Sequence, residues 1–355
     1  MMTKSVYIHI PFCSNICAYC DFCKLFYTKK WIKPYLKSLE KEIISKYKGD
    51  VIETIYIGGG TPSCLSLDEL KILFDIIDIF KTDLKEFTFE CNIEDINEEL
   101  LEFLKNTNVN RLSIGLESTK RKNLEYLGIK YSTDFKEKIE LACKYFDNIN
   151  VDLIYALKTE SLKDLEDDLD FLISMNIKHI STYSLIIEEH TKFRNEKNID
   201  EDLDYEMYKL INSKLSNYHH YEVSNFCLKG YESKHNLVYW NNDRYYGFGL
   251  GASGFIDDIR YDNNKNILEY INGKYLKEYE KLEKYEDMQN EMILGLRKLD
   301  GVSKKKFYLK YGKKIEDVFD IKELLNSKKL IDDGEYIYIS LDYIYLSNEI
   351  LINFV

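Results

Sequence analysis

Residues 13–23 read CSNICAYCDFC, and these eleven residues hold four of the chain's eight cysteines. The spacing is Cys13-x3-Cys17-x2-Cys20, then Cys23, directly after the strand-like SVYIHI of residues 5–10. A zinc knuckle pairs two C-x2-C halves across a longer loop, and no second half follows. A disulfide between cysteines this close needs awkward geometry, and a reducing compartment works against it. A loop this polar is a poor place to bury four structural thiols. An iron–sulfur cluster needs thiolates that converge from one side, which a short loop can supply. The residues alone leave metal and redox readings open.

Outward from this loop, strand-like and helix-like stretches alternate from Ser5 to about Glu188. The strands are SVYIHI, TIYIGGG, EFTFEC, NRLSIGLES, NINVDLIYAL and HISTYSLII. Between them, apolar residues recur at three- and four-residue spacing, as in LDELKILFDIIDIF and LKDLEDDLDFLISM. A helix with Pro34 in its first turn follows the cysteine loop. This alternation predicts an α/β fold: a partial (β/α) barrel of about six parallel strands, with its site at the strand C-terminal ends. After Glu188 the pattern stops. EEHTKFRNEKNID reads as a connector, and residues 221–255 are rich in Gly, Asn and aromatics. From about Tyr285 a helix leads to EYIYISLDYIYLS and NEILINFV, read as alternating segments of a small α+β, winged-helix-like module. The expected division is 1–190 for the barrel, 191–282 for an extension, and 283–355 for the C-terminal module.

The chain has 355 residues, 45% of them hydrophobic, enough for a sizeable core. With 49 Lys+Arg against 61 Asp+Glu the net charge is −12. That balance argues against a broad nucleic-acid or anionic-membrane surface. No stretch approaches the roughly 18 apolar residues of a membrane span, and no secretory signal is recognisable. The expected setting is cytoplasmic, with transient membrane contact left open.

Two further features point to a ligand at the barrel mouth. Gly58–Gly60 in IGGGTPS end the second strand, where glycines let a backbone approach a ligand closely. A tight turn is the plainer alternative. Glu90 ends the third strand, which places a carboxylate at the mouth; a solvated strand end would look the same.

C-x3-C-x2-C after a first barrel strand resembles the signature of the radical S-adenosylmethionine (SAM) superfamily. The resemblance implies that Cys13, Cys17 and Cys20 hold three irons of a [4Fe–4S] cluster. It leaves the fourth iron to the amino and carboxylate groups of SAM, whose reductive cleavage yields a 5′-deoxyadenosyl radical. An electron donor is then required. YIHIPFCSNICAYCDF, YIGGGTPS, NRLSIGLES, NINVDLIYAL, HISTYSLIIE, YEVSNF, ESKHNLVYW and GFGLGASGF, in that order, resemble the oxygen-independent coproporphyrinogen III oxidase family, and within it the heme-chaperone branch. The resemblance extends over nearly the whole chain. The oxidase proper has a fourth cysteine two residues after the third. Phe22 stands there in this chain, and only twelve residues precede Cys13, fewer than the oxidase carries.

By this resemblance Tyr7, Tyr19, Gly59, Gly60, Thr61, Glu90, Glu117 and Asp152 line SAM, His9 stands near the cluster, and Cys23 is a bystander. No catalytic residue is assigned. The branch implies heme, passed to an unidentified acceptor protein. His235 in HNLVYW is the axial-ligand candidate, with Tyr239 and Trp240 as flat apolar surface. His219 and His220 read as exposed loop residues, and Cys143 as core. The chain departs from the family pattern at several positions. Glu117 stands where Gln is usual, and Ile129 where an Arg resembles the partner of the SAM carboxylate, with Lys130 beside it. Ala156–Lys158 replace GLP, and Ser253 replaces His. Two other functions fit part of the pattern: a radical decarboxylase acting on porphyrinogen propionates, and a zinc-stabilised interaction protein without SAM chemistry.

Overall fold

The computed structural model describes residues 2–197 and 199–355. Of the expected connector, Asn198 lies outside the described residues.

Nine strands form the main sheet. They are β1 (Ser5–Ile10), β2 (Val51–Gly59), β3 (Lys81–Asn92), β4 (Arg111–Glu117), β5 (Ile149–Tyr155), β6 (His179–Ser184), β7 (His219–Glu222), β8 (Asn225–Cys227) and β9 (Tyr246–Phe248). Their spatial order is β9-β1-β2-β3-β4-β5-β6-β8-β7. The pairings from β9 to β6 are all parallel, and β8 and β7 close that edge antiparallel. The six expected strands are present, with a seventh parallel strand beside β1. It comes from the Gly-rich stretch, and at three residues it carries no readable alternation. Three strands from beyond residue 190 thus join this sheet, so the division at 190 separates chain patterns, not sheets.

Helices cover the outer face. α1 (Lys29–Lys46) starts five residues before Pro34, which sits on the exposed side of the second turn. Its missing N–H costs little there, because the carbonyl it would serve can be hydrated. α2 (Leu67–Ile77) opens on a capping box, with Ser66 and Glu69 reciprocally bonded. The helix Leu162–Ser174 opens on the same device, from Ser161 and Asp164. Strand alternation splits the barrel into two faces. Ile8, Ile55, Ile57, Phe87, Phe89, Leu112, Ile114, Val151 and Leu153 point outward and pack with Leu36, Leu39, Leu70, Leu73 and Leu104 into one core. Each such side chain contributes roughly 1.5–3 kcal/mol of burial free energy.

A second core, containing Met292, Leu296, Phe307, Ile337, Ile350 and Phe354, gathers the C-terminal residues. There the helices Lys284–Gly295 and Lys304–Tyr311 pack on a small antiparallel sheet of Val302–Ser303, Tyr336–Ile339 and Leu330–Asp332. The strand expected from EYIYIS is present. NEILINFV is not a strand: Ser347–Leu351 is helical and Ile352–Phe354 a 3-10 turn. Its apolar residues Ile350, Leu351 and Phe354 stand at one-, three- and four-residue spacing, which buries one face of a helix equally well.

Candidate functional site

The inner face of the barrel is polar. One row across the sheet reads Tyr7, Tyr56, Thr88, Arg111, and the next His9, Gly58, Glu90, Ser113, Asn150, His179. Above them, toward the strand C-terminal ends, lie Gly115, Asp152 and Ser181. FTFECN and RLSIGLE show strict period-two alternation, so this row was readable. The aliphatic content of the strands masks it, which leaves Tyr56, Arg111, Ser113, Asn150 and Ser181 inconspicuous in the sequence.

The cysteine loop rises above this face. Phe12–Cys13 pairs with Leu25–Phe26 and pins the base of the loop. Ala18 N–H donates to Leu127 O at 2.8 Å, and Asn15 Nδ2 donates to Gly128 O at 2.8 Å, which anchors the apex. Cys13 is buried, whereas Cys17 and Cys20 are half-buried. Burial pushes the Cys17 thiol up to about 12, with Glu117, Cys20 and Cys13 adding to it. Burial also raises Cys13, and Cys20 contributes. Three thiols that repel one another as thiolates become stable anions when a metal centre replaces their protons. Cys23 lies against the Gly-rich segment. A Cβ on Gly251 would come 2.8 Å from its Sγ, and Lys24 and Lys265 are the charges it senses. Phe22 is 70% exposed.

Each glycine of the triple has its own reason. A Cβ on Gly58 would meet the Glu90 carboxylate at 2.6 Å, and one on Gly59 would meet the His9 ring at 2.5 Å. At Gly60 it would lie 2.8 Å from Phe12 O and 2.9 Å from Cys13 Sγ. Gly59 also has φ 114°, which L side chains rarely adopt. Thr61 N–H donates to Phe12 O at 2.8 Å. The triple therefore forms a cradle under the cysteine loop.

Three carboxyls face the same space. Glu90 accepts from Tyr56 Oη at 2.7 Å and from Gly59 N–H at 3.0 Å. Asp152 accepts from Asn150 Nδ2 at 2.8 Å and Ser113 Oγ at 3.3 Å. Glu117 has only Tyr19 Oη, at 3.5 Å, and its backbone is left-handed with φ 59°. Burial holds Glu90 up to about 7, with Asp152 adding to it. Burial, followed by Asp152, holds Glu117 up to about 8. Burial raises Asp152 as well. Crowded acids in low dielectric favour a cationic ligand, and SAM carries a sulfonium and an ammonium. The donor set fits both the cluster and SAM. A Glu117 that keeps its proton near neutral pH is also neutral, with one donor and one acceptor, much like the Gln usual there.

The other departures are structural. Ile129 packs among Ala18, Leu124, Leu127, Leu157 and Phe193, so an apolar cluster fills the place of the family Arg. Lys130 is exposed. Ala156 is left-handed, with φ 64°. Ser253 is exposed and hydrogen-bonded to Asp262. Tyr7 is half-buried; its hydroxyl pairs with His9 Nδ1 at 2.9 Å, and His9 Nε2 pairs with Cys23 O at 2.7 Å. His9 thus braces the loop from beneath.

His235, the axial-ligand candidate, stands apart from the mouth and is fully enclosed. It is 0% exposed, with Nδ1 on Thr54 Oγ1 at 2.9 Å and Nε2 on Tyr239 Oη at 2.8 Å. As folded it has no nitrogen free for iron. His219 and His220 lie on β7, not in a loop, and His220 stacks on Phe226 at 4.0 Å. Cys143 is exposed, not core, because the buried face of its helix falls on Ile139 and Ala142.

A three-cysteine loop over a glycine cradle at the mouth of a partial barrel defines a radical SAM protein. Residues 7–172 match the radical SAM superfamily, and residues 282–341 match the HemN C-terminal domain. The chain is 39% identical to the heme chaperone HemW of Bacillus subtilis (strain 168), over 98% of each protein. It is 39% identical to HemW of Lactococcus lactis subsp. lactis (strain IL1403), over 95% of this chain and 93% of that protein. Coproporphyrinogen III oxidase (HemN) from Escherichia coli, a radical SAM enzyme, superposes with TM-score 0.87 at 18% identity, covering 99% of this chain and 90% of that one. The chain belongs to the HemW heme-chaperone family of radical SAM proteins. That membership implies a [4Fe–4S] cluster and SAM. Among the described residues, no helix is long and apolar enough to cross a membrane.

Proposed function

We propose that this protein binds heme in the cytoplasm and hands it to an acceptor protein, with a [4Fe–4S] cluster and SAM held at the barrel mouth. The observation that carries this reading is the match, over nearly full length, to relatives named heme chaperones. Cys13, Cys17 and Cys20 are assigned to the cluster. Tyr7, Tyr19, Gly59, Gly60, Thr61, Glu90, Glu117 and Asp152 are assigned to SAM. When bound, these groups supply one-electron chemistry, which needs an electron donor. The chain's own residues orient and shield. The glycine cradle lets backbone come close, Glu90 and Asp152 offer negative charge to a cation, and Tyr7 with His9 fixes the loop. The barrel residues up to about 190 carry this site, 191–282 carry the heme segment, and 283–355 complete the module.

In this reading His235 ligates heme from an opened state of the helix Lys234–Trp240. Opening breaks its bonds to Thr54 and Tyr239, at about 1–3 kcal/mol for each buried group left unpaired. Iron ligation and porphyrin burial must offset that cost. The test is a heme titration of the anaerobically reconstituted protein, wild type and His235→Ala, followed by transfer to an apo-hemoprotein. Stoichiometric binding lost in the variant supports both claims. Equal binding in the two removes His235 as ligand. No binding by wild type overturns the chaperone reading.

A further inference from the structure

A second set of metal-type ligands lies at the opposite end of the barrel. β7 and β8 pair antiparallel, with His219 directly across from Cys227. Cross-strand partners project to the same face, so imidazole and thiol stand side by side. Cys227 is in turn paired with His179, the first residue of β6, which places the pair at the N-terminal end of the parallel strands. The cysteine loop rises from the C-terminal end. The chain leaving β8 turns back through Gly230 and brings Glu232 onto both residues. The ligand atoms of His219, Cys227 and Glu232 all lie within 4.8 Å of one another, and no other such trio occurs among the described residues. His219 Nδ1 and Glu232 Oε1 are 3.0 Å apart. Two ligands of one tetrahedral zinc, each about 2.0–2.2 Å from the ion, sit about 3.3–3.6 Å apart, so the pair need spread only slightly to admit the ion.

The surroundings are those of a built site. The second carboxylate oxygen, Oε2, accepts Gly230 N–H at 3.1 Å, which fixes the direction of Oε1. Cys227 is 0% exposed and supplies a fixed inner ligand. The His219 side chain is 45% exposed and that of Glu232 24%, which leaves an entry path and room for a water as fourth ligand. The plainer account is a surface ion pair over a buried thiol. It covers each pair separately; a metal site requires in addition that all three ligand atoms converge, which they do.

We propose that His219, Cys227 and Glu232 bind a divalent transition metal of the zinc class, separate from the cluster and independent of the heme reading. A thiolate, an imidazole and a carboxylate with one open position suit Zn2+. Metal there ties the loop 228–233 to the sheet edge. That loop ends at Ser233, where the helix Lys234–Trp240 begins. Glu86 already holds this helix start, accepting from Lys234 N–H at 2.8 Å and His235 N–H at 3.0 Å. The ion would act as a second clamp on the same helix start.

The test uses the full chain, anaerobically reconstituted with its cluster, then dialysed against a mild chelator and titrated with Zn2+ against a chromogenic competitor. Zinc and iron are both counted. Wild type is expected to keep about one zinc per chain beside the cluster iron. His219→Ala and Glu232→Gln, both at solvent-accessible positions, are expected to weaken zinc binding by roughly tenfold or more with iron content unchanged. Cys227→Ser should abolish binding; if it fails to fold, the two accessible variants still decide. Wild type that retains no zinc overturns the proposal. So does zinc binding that is unchanged in both accessible variants, or that appears only when the cluster cysteines are free of iron.

Discussion

The polar residues at the two ends of the barrel interior face different conditions. At the floor most side chains are paired, although Arg111 Nε is buried without a partner. His179 bonds Asn150 and Tyr221, His235 bonds Thr54 and Tyr239, and Glu86 accepts from Thr88, Ser233, Lys234 and His235. At the mouth Glu90, Glu117 and Asp152 crowd together, and Glu117 has a single long contact. Buried polar groups with partners are architecture; buried carboxyls without them wait for a ligand. Residue type does not separate the two, since glutamates occur at both ends. What sets the mouth apart is the crowding of three buried carboxyls, of which Glu117 is the most poorly paired.

The largest effect expected of breaking the mouth is at the cysteines. Replacing Cys13, Cys17 or Cys20 with Ala should remove most cluster iron after reconstitution, while Cys23→Ala should leave it. Iron content and visible absorption check this, and a Cys23 variant that loses iron would make it a fourth member of the set. At the floor, Glu86→Ala strips the acceptor from two helix N–H groups and two hydroxyls. It should lower unfolding stability by about 3 kcal/mol or more in denaturant titration. A loss under 1 kcal/mol would mean that water replaces the carboxylate.

Glu117→Gln sharpens the contrast through pH. The unfolded carboxyl ionises near 4.5, whereas the folded one keeps its proton up to about 8. The folded state binds more protons across that window, so wild-type stability falls as pH rises through it. The Gln variant lacks this loss. Its advantage in melting temperature should grow from about pH 4.5 to pH 8 and then level off; a constant difference would place the charge penalty elsewhere. The smallest effect is Tyr239→Phe, which frees His235 Nε2. It should cost about 1 kcal/mol of stability. If His235 ligates heme, the same variant should tighten heme binding.

The sequence revealed the mouth better than the floor. Cys13, Cys17, Cys20, Gly59, Gly60, Glu90 and Asp152 sit at strand ends or in the loop after β1, where local pattern and position coincide. The burial of His235 is not legible in the sequence, because it depends on Thr54 and Tyr56, about 180 residues earlier in the chain. His219, Cys227 and Glu232 were scattered for a similar reason: only antiparallel pairing brings them together. β9 has three residues and no alternation to display. In the sequence Ile129 stands out only for the side chain it replaces; its packing with Leu157 and Phe193 is purely tertiary.

The placement of β9 beside β1 affects how the protein is made. Seven strands run parallel, and the one synthesised last lies against the one synthesised first. Until residue 248 has left the ribosome, one edge of β1 is an unpaired row of amide and carbonyl groups, next to the three-cysteine loop. Nascent chains therefore present a strand to any neighbour. A nascent chain stalled between residues 190 and 240 should be the species that chaperones hold longest, and pulse-proteolysis of ribosome-bound intermediates would detect it.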